Sequence, residues 1–258
     1  RKVHMNLKFK VAAIAAAAAA TITAGFAYAG TAGAATPSCG SQCVNLYNRA
    51  IGHHFDLDVF RGRAAVGQPL ILFARSNSDA AQDFTVSYQG LVSDFFGAGL
   101  VSAAVDSHYG AGLGLAGVPA AGNGFPDDPA FELEYSPDGR DTGLCMGTPS
   151  VSTPLGPKPV AVVNGTKVSL QPCGADAATV WIVDTNPNDV PFAADNFVGI
   201  SGAQANWSHP YVLTYPQNGY PTDKPRPQLF VHTLQRFSQG SPSVYDNQIW
   251  RGVVGVLP

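Results

Sequence analysis

Short runs of alternating apolar and polar residues, not long helical stripes, organise this chain. Phe131-Glu132-Leu133-Glu134-Tyr135 puts Phe, Leu and Tyr on one face and both glutamates on the other, with the turn Ser136-Pro137-Asp138-Gly139 next. Successive side chains of a strand point to opposite faces, so this period of two predicts a strand with one buried face. Phe84, Val86 and Tyr88 alternate likewise, and so do Val168, Leu170 and Pro172 against Ser169 and Gln171. TVWIVD at 179–184 reads as another strand. The single helix candidate is 91–106, and Gly97 and Gly99 weaken it, because glycine costs about 1 kcal/mol in a helix interior. Loops dense in Pro and Gly fill 110–128 and 185–195.

These elements recur in a fixed order, the signature of an internal repeat. A first unit runs YNRAIGHHFDLDV, GQPLILF, AQDFTV; a second runs FELEYSPDGRDTGLCMGT, GTKVSLQPC, ATVWIV. A third runs FVGISGAQANWSHPYVLTY, TLQRF, NQIWRG. Each closes on an aromatic residue: Phe84, Trp181 and Trp250. Large residues gain most from burial, so these three are expected core anchors.

The N-terminal stretch changes the picture of where the protein works. Lys8 and Lys10 follow Met5, the expected start, and 11–29 carries no charge before the small-residue sites Ala27-Tyr28-Ala29 and Ala32-Gly33-Ala34. That order reads as a signal peptide over 1–29, with 30–38 a flexible leader and the mature protein secreted. Cleavage removes Arg1, Lys2, Lys8 and Lys10 and no acidic residue, which takes the formal net charge from −3 to −7. Nucleic acid and anionic membrane both need a basic face, so neither is an expected partner. All four cysteines (Cys39, Cys43, Cys145, Cys173) lie beyond the leader, and export favours disulfides, with three pairings open.

The repeated motifs resemble those of the ricin B-chain-like β-trefoil lectins, whose units carry a C-x-D-V start, an x-Q-x-W-x-C middle and a Q-x-W end. The resemblance implies an all-β fold, a β-trefoil of three degenerate repeats with long loop insertions. The domain would span 39–258, with repeats at about 44–90, 130–184 and 196–258 and an insertion at 91–129. One unit cannot bury its apolar face alone, whereas three closing on an axis can, and closure removes exposed sheet edges.

A family sugar site needs an Asp, an Asn or Gln, and an aromatic platform: polar groups give direction and the ring gives area. By resemblance the first unit offers Asp58, Phe73 and Gln82, with Ile71 and Ala81 in place of two amides. The second has Gly147, Ala178 and Thr179 where polar groups belong, so it is expected to be inactive and Gly147→Ala without effect on glycan retention. The third offers Gln235, Phe237, Asn247 and Gln248, with Thr214 in place of the Asp. The amides have a plainer reading too, as bonds to backbone within the fold. The family pairing implies Cys145–Cys173, which leaves Cys39–Cys43 to pair locally.

Enzyme chemistry has weaker support. His53-His54 near Asp56 and Asp58 lacks a metal-ligand spacing and reads as a solvated turn. Asp127-Asp128 precede a proline, and Glu132 and Glu134 lie on the polar face of one strand. No nucleophile elbow or nucleotide loop is present. Asn164-Gly165-Thr166 and Asn206-Trp207-Ser208 fit glycosylation sequons. The expectation is a secreted, monomeric carbohydrate-binding protein with an extracellular glycan as partner, no cofactor, no metal and no catalytic residue. The alternatives are a trefoil inhibitor or effector acting on a protein, and a hydrolase with its site in the insertion.

Overall fold

The computed structural model describes residues 39, 43–101, 103, 105–106, 128–153, 156–174, 178–184, 196–199, 210–216, 228–235 and 244–254. The expected leader, 107–127 of the insertion, the loop at 185–195, the sequon at Asn206, Asp127 and Phe237 lie outside the described residues. Alternation becomes strand wherever it was read. The first unit holds β1 (Val44–Asn48), β2 (Phe55–Val59), β3 (Leu70–Ala74) and β4 (Phe84–Leu91). The second holds β5 (Pro129–Tyr135), β6 (Leu144–Gly147), β7 (Ser150–Thr153), β8 (Gly156–Pro159), β9 (Thr166–Lys167), β10 (Ser169–Pro172) and β11 (Trp181–Asp184). The third holds β12 (Asn196–Gly199), β13 (Tyr211–Thr214), β14 (Phe230–Thr233) and β15 (Trp250–Val254).

Pairing follows one rule in each unit. The outer strands run in the continuous antiparallel order β15–β1–β4–β5–β11–β12. The inner strands form the hairpins β2–β3, β6–β10 and β13–β14. Each hairpin hangs from its unit's first strand at one matching pair: Tyr47↔Asp56, Glu134↔Cys145 and Val198↔Val212. The hairpins meet on an axis through a closed ring of backbone bonds. Leu70 N–H donates to the Val168 carbonyl (3.3 Å), Val168 N–H to Leu229 (2.9 Å), and Leu229 N–H to Leu70 (2.8 Å). Three donors in cyclic order require strands related by a pseudo-threefold axis. The fold is an all-β trefoil.

The core lies between the strand layer and this hairpin cap. Phe84, Trp181 and Trp250 are each fully buried in it. Trp181 Nε1–H donates to the Met146 carbonyl (2.9 Å) and Trp250 Nε1–H to that of Leu213 (2.8 Å). Met146 and Leu213 occupy the position of Leu57, since Leu57↔Leu72, Met146↔Leu170 and Leu213↔Val231 are matching cross-strand pairs. Disulfides join Cys145 to Cys173 and Cys39 to Cys43. The first closes a loop with a sequence separation of 28, which stabilises by roughly 3–4 kcal/mol through unfolded-state entropy.

The insertion opens with a short helix, α1 (Val92–Gly97), instead of one helix over 91–106. Gly99 stops it at φ +72°, a conformation that glycine adopts freely. The Leu100 N–H then bonds Phe95 O and the Gly99 N–H bonds Phe96 O, both at 2.9 Å, which closes the helix end. Val92, Phe95, Val101 and Val105 pack on Ala130, Val180, Ile182 and Val212, a second cluster on the outside of the sheet. Among the described residues no helix is long and apolar enough to cross a membrane.

Candidate functional site

In the first hairpin the register sorts side chains cleanly. Leu57, Leu70 and Leu72 sink into the core, while Asp56↔Phe73 and Asp58↔Ile71 share the opposite face. Phe73 is 45% exposed, and Asp58, on the same face, is 4% exposed. Gln82 is fully buried and ties the end of the hairpin. Its Nε2 donates to the Ala74 carbonyl (2.9 Å) and reaches Asp58 Oδ2 at 3.5 Å, while its Oε1 accepts from the Ser76 N–H (3.0 Å). Sequence placed Asp58, Phe73 and Gln82 in one set; the hairpin brings Asp58 and Gln82 together and puts Phe73 on the same face, opposite Asp56.

The solvated-turn reading needs correction. His53 and His54 are exposed, but Asp56 and Asp58 belong to β2 and are buried. Asp56 accepts two bonds from Arg75, from Nε and Nη2, both 2.7 Å, and the guanidinium lies 5.6 Å from the centre of the Tyr47 ring. Burial pushes the Asp56 carboxyl above its ordinary range, and Arg75 pulls against that. The hairpin and the adjoining turns carry negative charge. Tyr135 is pushed up to about 12 by burial first, then by Asp58, Asp79, Asp83 and Asp138. Its hydroxyl therefore keeps its proton and donates to the Gly62 carbonyl at 3.2 Å.

In the second unit the same place is filled by backbone. A Cβ on Gly147 would lie 2.7 Å from the Ala178 carbonyl oxygen and 2.9 Å from Thr179 Cγ2. A side chain there meets backbone at once, so Gly147→Ala, expected to leave glycan retention unchanged, carries a packing cost of its own. Its overpacking is expected to cost roughly 1–3 kcal/mol, and thermal melting beside Gly97→Ala checks this, since a Cβ on Gly97 meets nothing within 4 Å. Glu132, read as a polar-face residue, is buried and does the work of the missing Gln. Its Oε1 accepts from the Gly174 N–H (2.9 Å) and the Thr179 hydroxyl (2.5 Å). Glu134 Oε1 accepts from the Gly143 N–H at 2.6 Å. Both carboxylates thus hold turns in place.

The third unit repeats the clasp of the first. Gln248, fully buried, donates from Nε2 to the Thr233 carbonyl and the Thr214 hydroxyl, both 3.1 Å, and its Oε1 accepts from the Gln235 N–H (2.7 Å). Gln235 therefore corresponds to Ser76, and its exposed side chain lies beyond β14. Thr214 pairs with Phe230 and Val212 with His232. The register puts Phe230 and His232, not Gln235 and Phe237, where Ile71 and Phe73 lie in the first unit. A sequence signal for this existed: QLFVH at 228–232 parallels PLILF at 69–73 better than TLQRF does. Asn247 is 6% exposed; its Nδ2 donates to the Tyr215 carbonyl (3.0 Å), and its Oδ1 has no hydrogen-bond partner among the described residues. Cys39, Cys43 and Asp83 bring donor atoms within 4.8 Å of one another, but the two sulfurs are bonded together and offer no thiolate to a metal.

No family model matches the chain, and no curated protein matches it in sequence. Similar solved structures include the designed threefold-symmetric protein ThreeFoil, at 14% identity and TM-score 0.45, over 82% of this chain and 98% of that one. The Rhizoctonia solani agglutinin is similar at 13% identity and TM-score 0.44, over 88% of this chain and 99% of that one. A mosquitocidal holotoxin is similar at 10% identity and TM-score 0.47, over 83% of this chain and 17% of that one.

Proposed function

We propose that this is a secreted carbohydrate-binding trefoil of the ricin B-chain-like type, with its principal site on the first hairpin. One observation carries the reading. An exposed aromatic ring, Phe73, and a carboxylate, Asp58, share one hairpin face, and a buried amide, Gln82, reaches that carboxylate from behind. The carboxylate accepts sugar hydroxyls, the ring takes the apolar face of the sugar, and Gln82 holds the end of β3 and the carboxylate in place. Gln248 serves as the matching clasp in the third unit. Both disulfides and the apolar leader favour export.

A glycan array probed with mature protein tests this, with competition by the free sugar. Retention is expected for the parent. A bond to a charged group contributes about 1.5–3 kcal/mol against about 1 for a neutral pair, so Asp58→Asn weakens retention about tenfold, more than Asn247→Ala does. Equal retention by parent and Asp58→Asn, with matched melting curves, would remove the first hairpin from the account.

A further inference from the structure

β9 is not part of any hairpin. It leads into β10 of the second unit and adds a third strand to the edge of the third hairpin, with Phe230↔Lys167 and Val231↔Thr166 in register. Thr214, Phe230 and Lys167 therefore lie in a row across β13–β14–β9. Val231 faces the core, so the row faces out. Lys167 is exposed, and its ammonium lies 5.3 Å from the centre of the half-buried Phe230 ring. The His232 ring stands edge-on to Phe230, with centroids 6.3 Å apart.

We propose that this face binds an acidic saccharide, a sugar chain bearing uronate carboxylates, at Lys167, Phe230 and His232. Charge complementarity selects the anion. Lys167 makes no ion pair among the described residues, although the chain carries a formal net charge of −3. The contact with the ring orders the ammonium, so part of the entropy of fixing a lysine is lost before a ligand arrives. His232 selects the hydroxyl. Its Nδ1 lies 3.0 Å from the Thr233 carbonyl and 3.3 Å from the Thr233 hydroxyl, and Nε2 is the ring nitrogen left to bond a ligand hydroxyl. A ligand that offers a carboxylate and, a short reach away, a hydroxyl beside an apolar ring edge satisfies all three. A simple anion satisfies only the first. The sugar part of this inference rests on the carbohydrate-binding reading, whereas the residues are not those of the first hairpin.

Titration calorimetry with oligogalacturonate and its methyl-esterified, uncharged counterpart tests the inference on the mature protein. The acid form is expected to bind at least tenfold tighter than the ester, and to weaken as salt rises. Lys167→Gln is expected to remove most of that preference without shifting the melting temperature, and His232→Ala to weaken both forms. Equal binding of acid and ester, or an unchanged preference in Lys167→Gln, would overturn the inference. So would sulfate that displaces the oligomer at matched ionic strength as well as free galacturonate does. Loss of acid binding in Asp58→Asn but not in Lys167→Gln would move the ligand to the first hairpin and also overturn it. Acid binding through Lys167 with no neutral sugar retained on the array would sustain this site and defeat the first-hairpin reading instead.

Discussion

Trp250→Ala is expected to destabilise the folded protein by about 4 kcal/mol, enough to leave a trefoil of ordinary stability marginal. The side chain is fully buried among residues of all three units, so its loss opens a cavity where they meet. Its Nε1–H also satisfies the Leu213 carbonyl, and that acceptor would be left without its partner. Trp250→Phe separates the two contributions. It keeps most of the volume and loses the bond, as the first unit has already done with Phe84, and is expected to cost about 1–3 kcal/mol. Urea unfolding of the two variants checks the order, and a Trp250→Ala protein as stable as its parent would contradict the core described above.

Arg75→Ala has the second large effect, about 3–5 kcal/mol at neutral pH, because it strips the buried Asp56 carboxylate of its hydrogen-bonded counter-charge. The sign of its pH dependence follows from Asp56. A carboxyl raised in the folded state holds its proton to higher pH than in the unfolded chain. Its contribution favours folding below the unfolded value near 3.8 and is lost as pH rises through the folded value. Removing Arg75 raises the folded value further. The Arg75→Ala deficit is therefore expected to shrink as pH falls into the carboxylate range, where a neutral Asp56 needs no partner. Melting temperatures of parent and variant across that range check it, and a deficit that grows on acidification would refute the buried-pair account.

The strands, the closing aromatics and the disulfide partners were legible because each leaves a local trace: alternation, a repeated aromatic, and the spacing of the resemblance. Asp58 and Gln82 were placed correctly relative to each other because their first-unit spacing carries no insertion. The third unit misled for the opposite reason. The platform position follows from cross-strand register with Thr214, and its one local trace, QLFVH at 228–232, lies far from Thr214 in sequence and lacks the Q-x-aromatic pattern that TLQRF offers. Phe230 and His232 were therefore passed over for Gln235 and Phe237. The place of Gly147 was equally hidden, since the carbonyl that crowds it belongs to Ala178, distant in sequence. Glu132 lay on the expected face of its strand, but sequence could not reveal that Gly174 and Thr179 close over that face. Arg75 and Asp56 meet only after the hairpin pairs them.

An amide-shift titration of the mature protein with the neutral sugar found on the array bears most directly on the first-hairpin site. Saturable shifts are expected at Asp56 to Asp58, Ile71 to Ser76 and Ala81 to Gln82, and are expected to be lost in Asp58→Asn. Shifts confined to the hairpins β6–β10 or β13–β14, or a spectrum that does not move at saturating sugar, would contradict it.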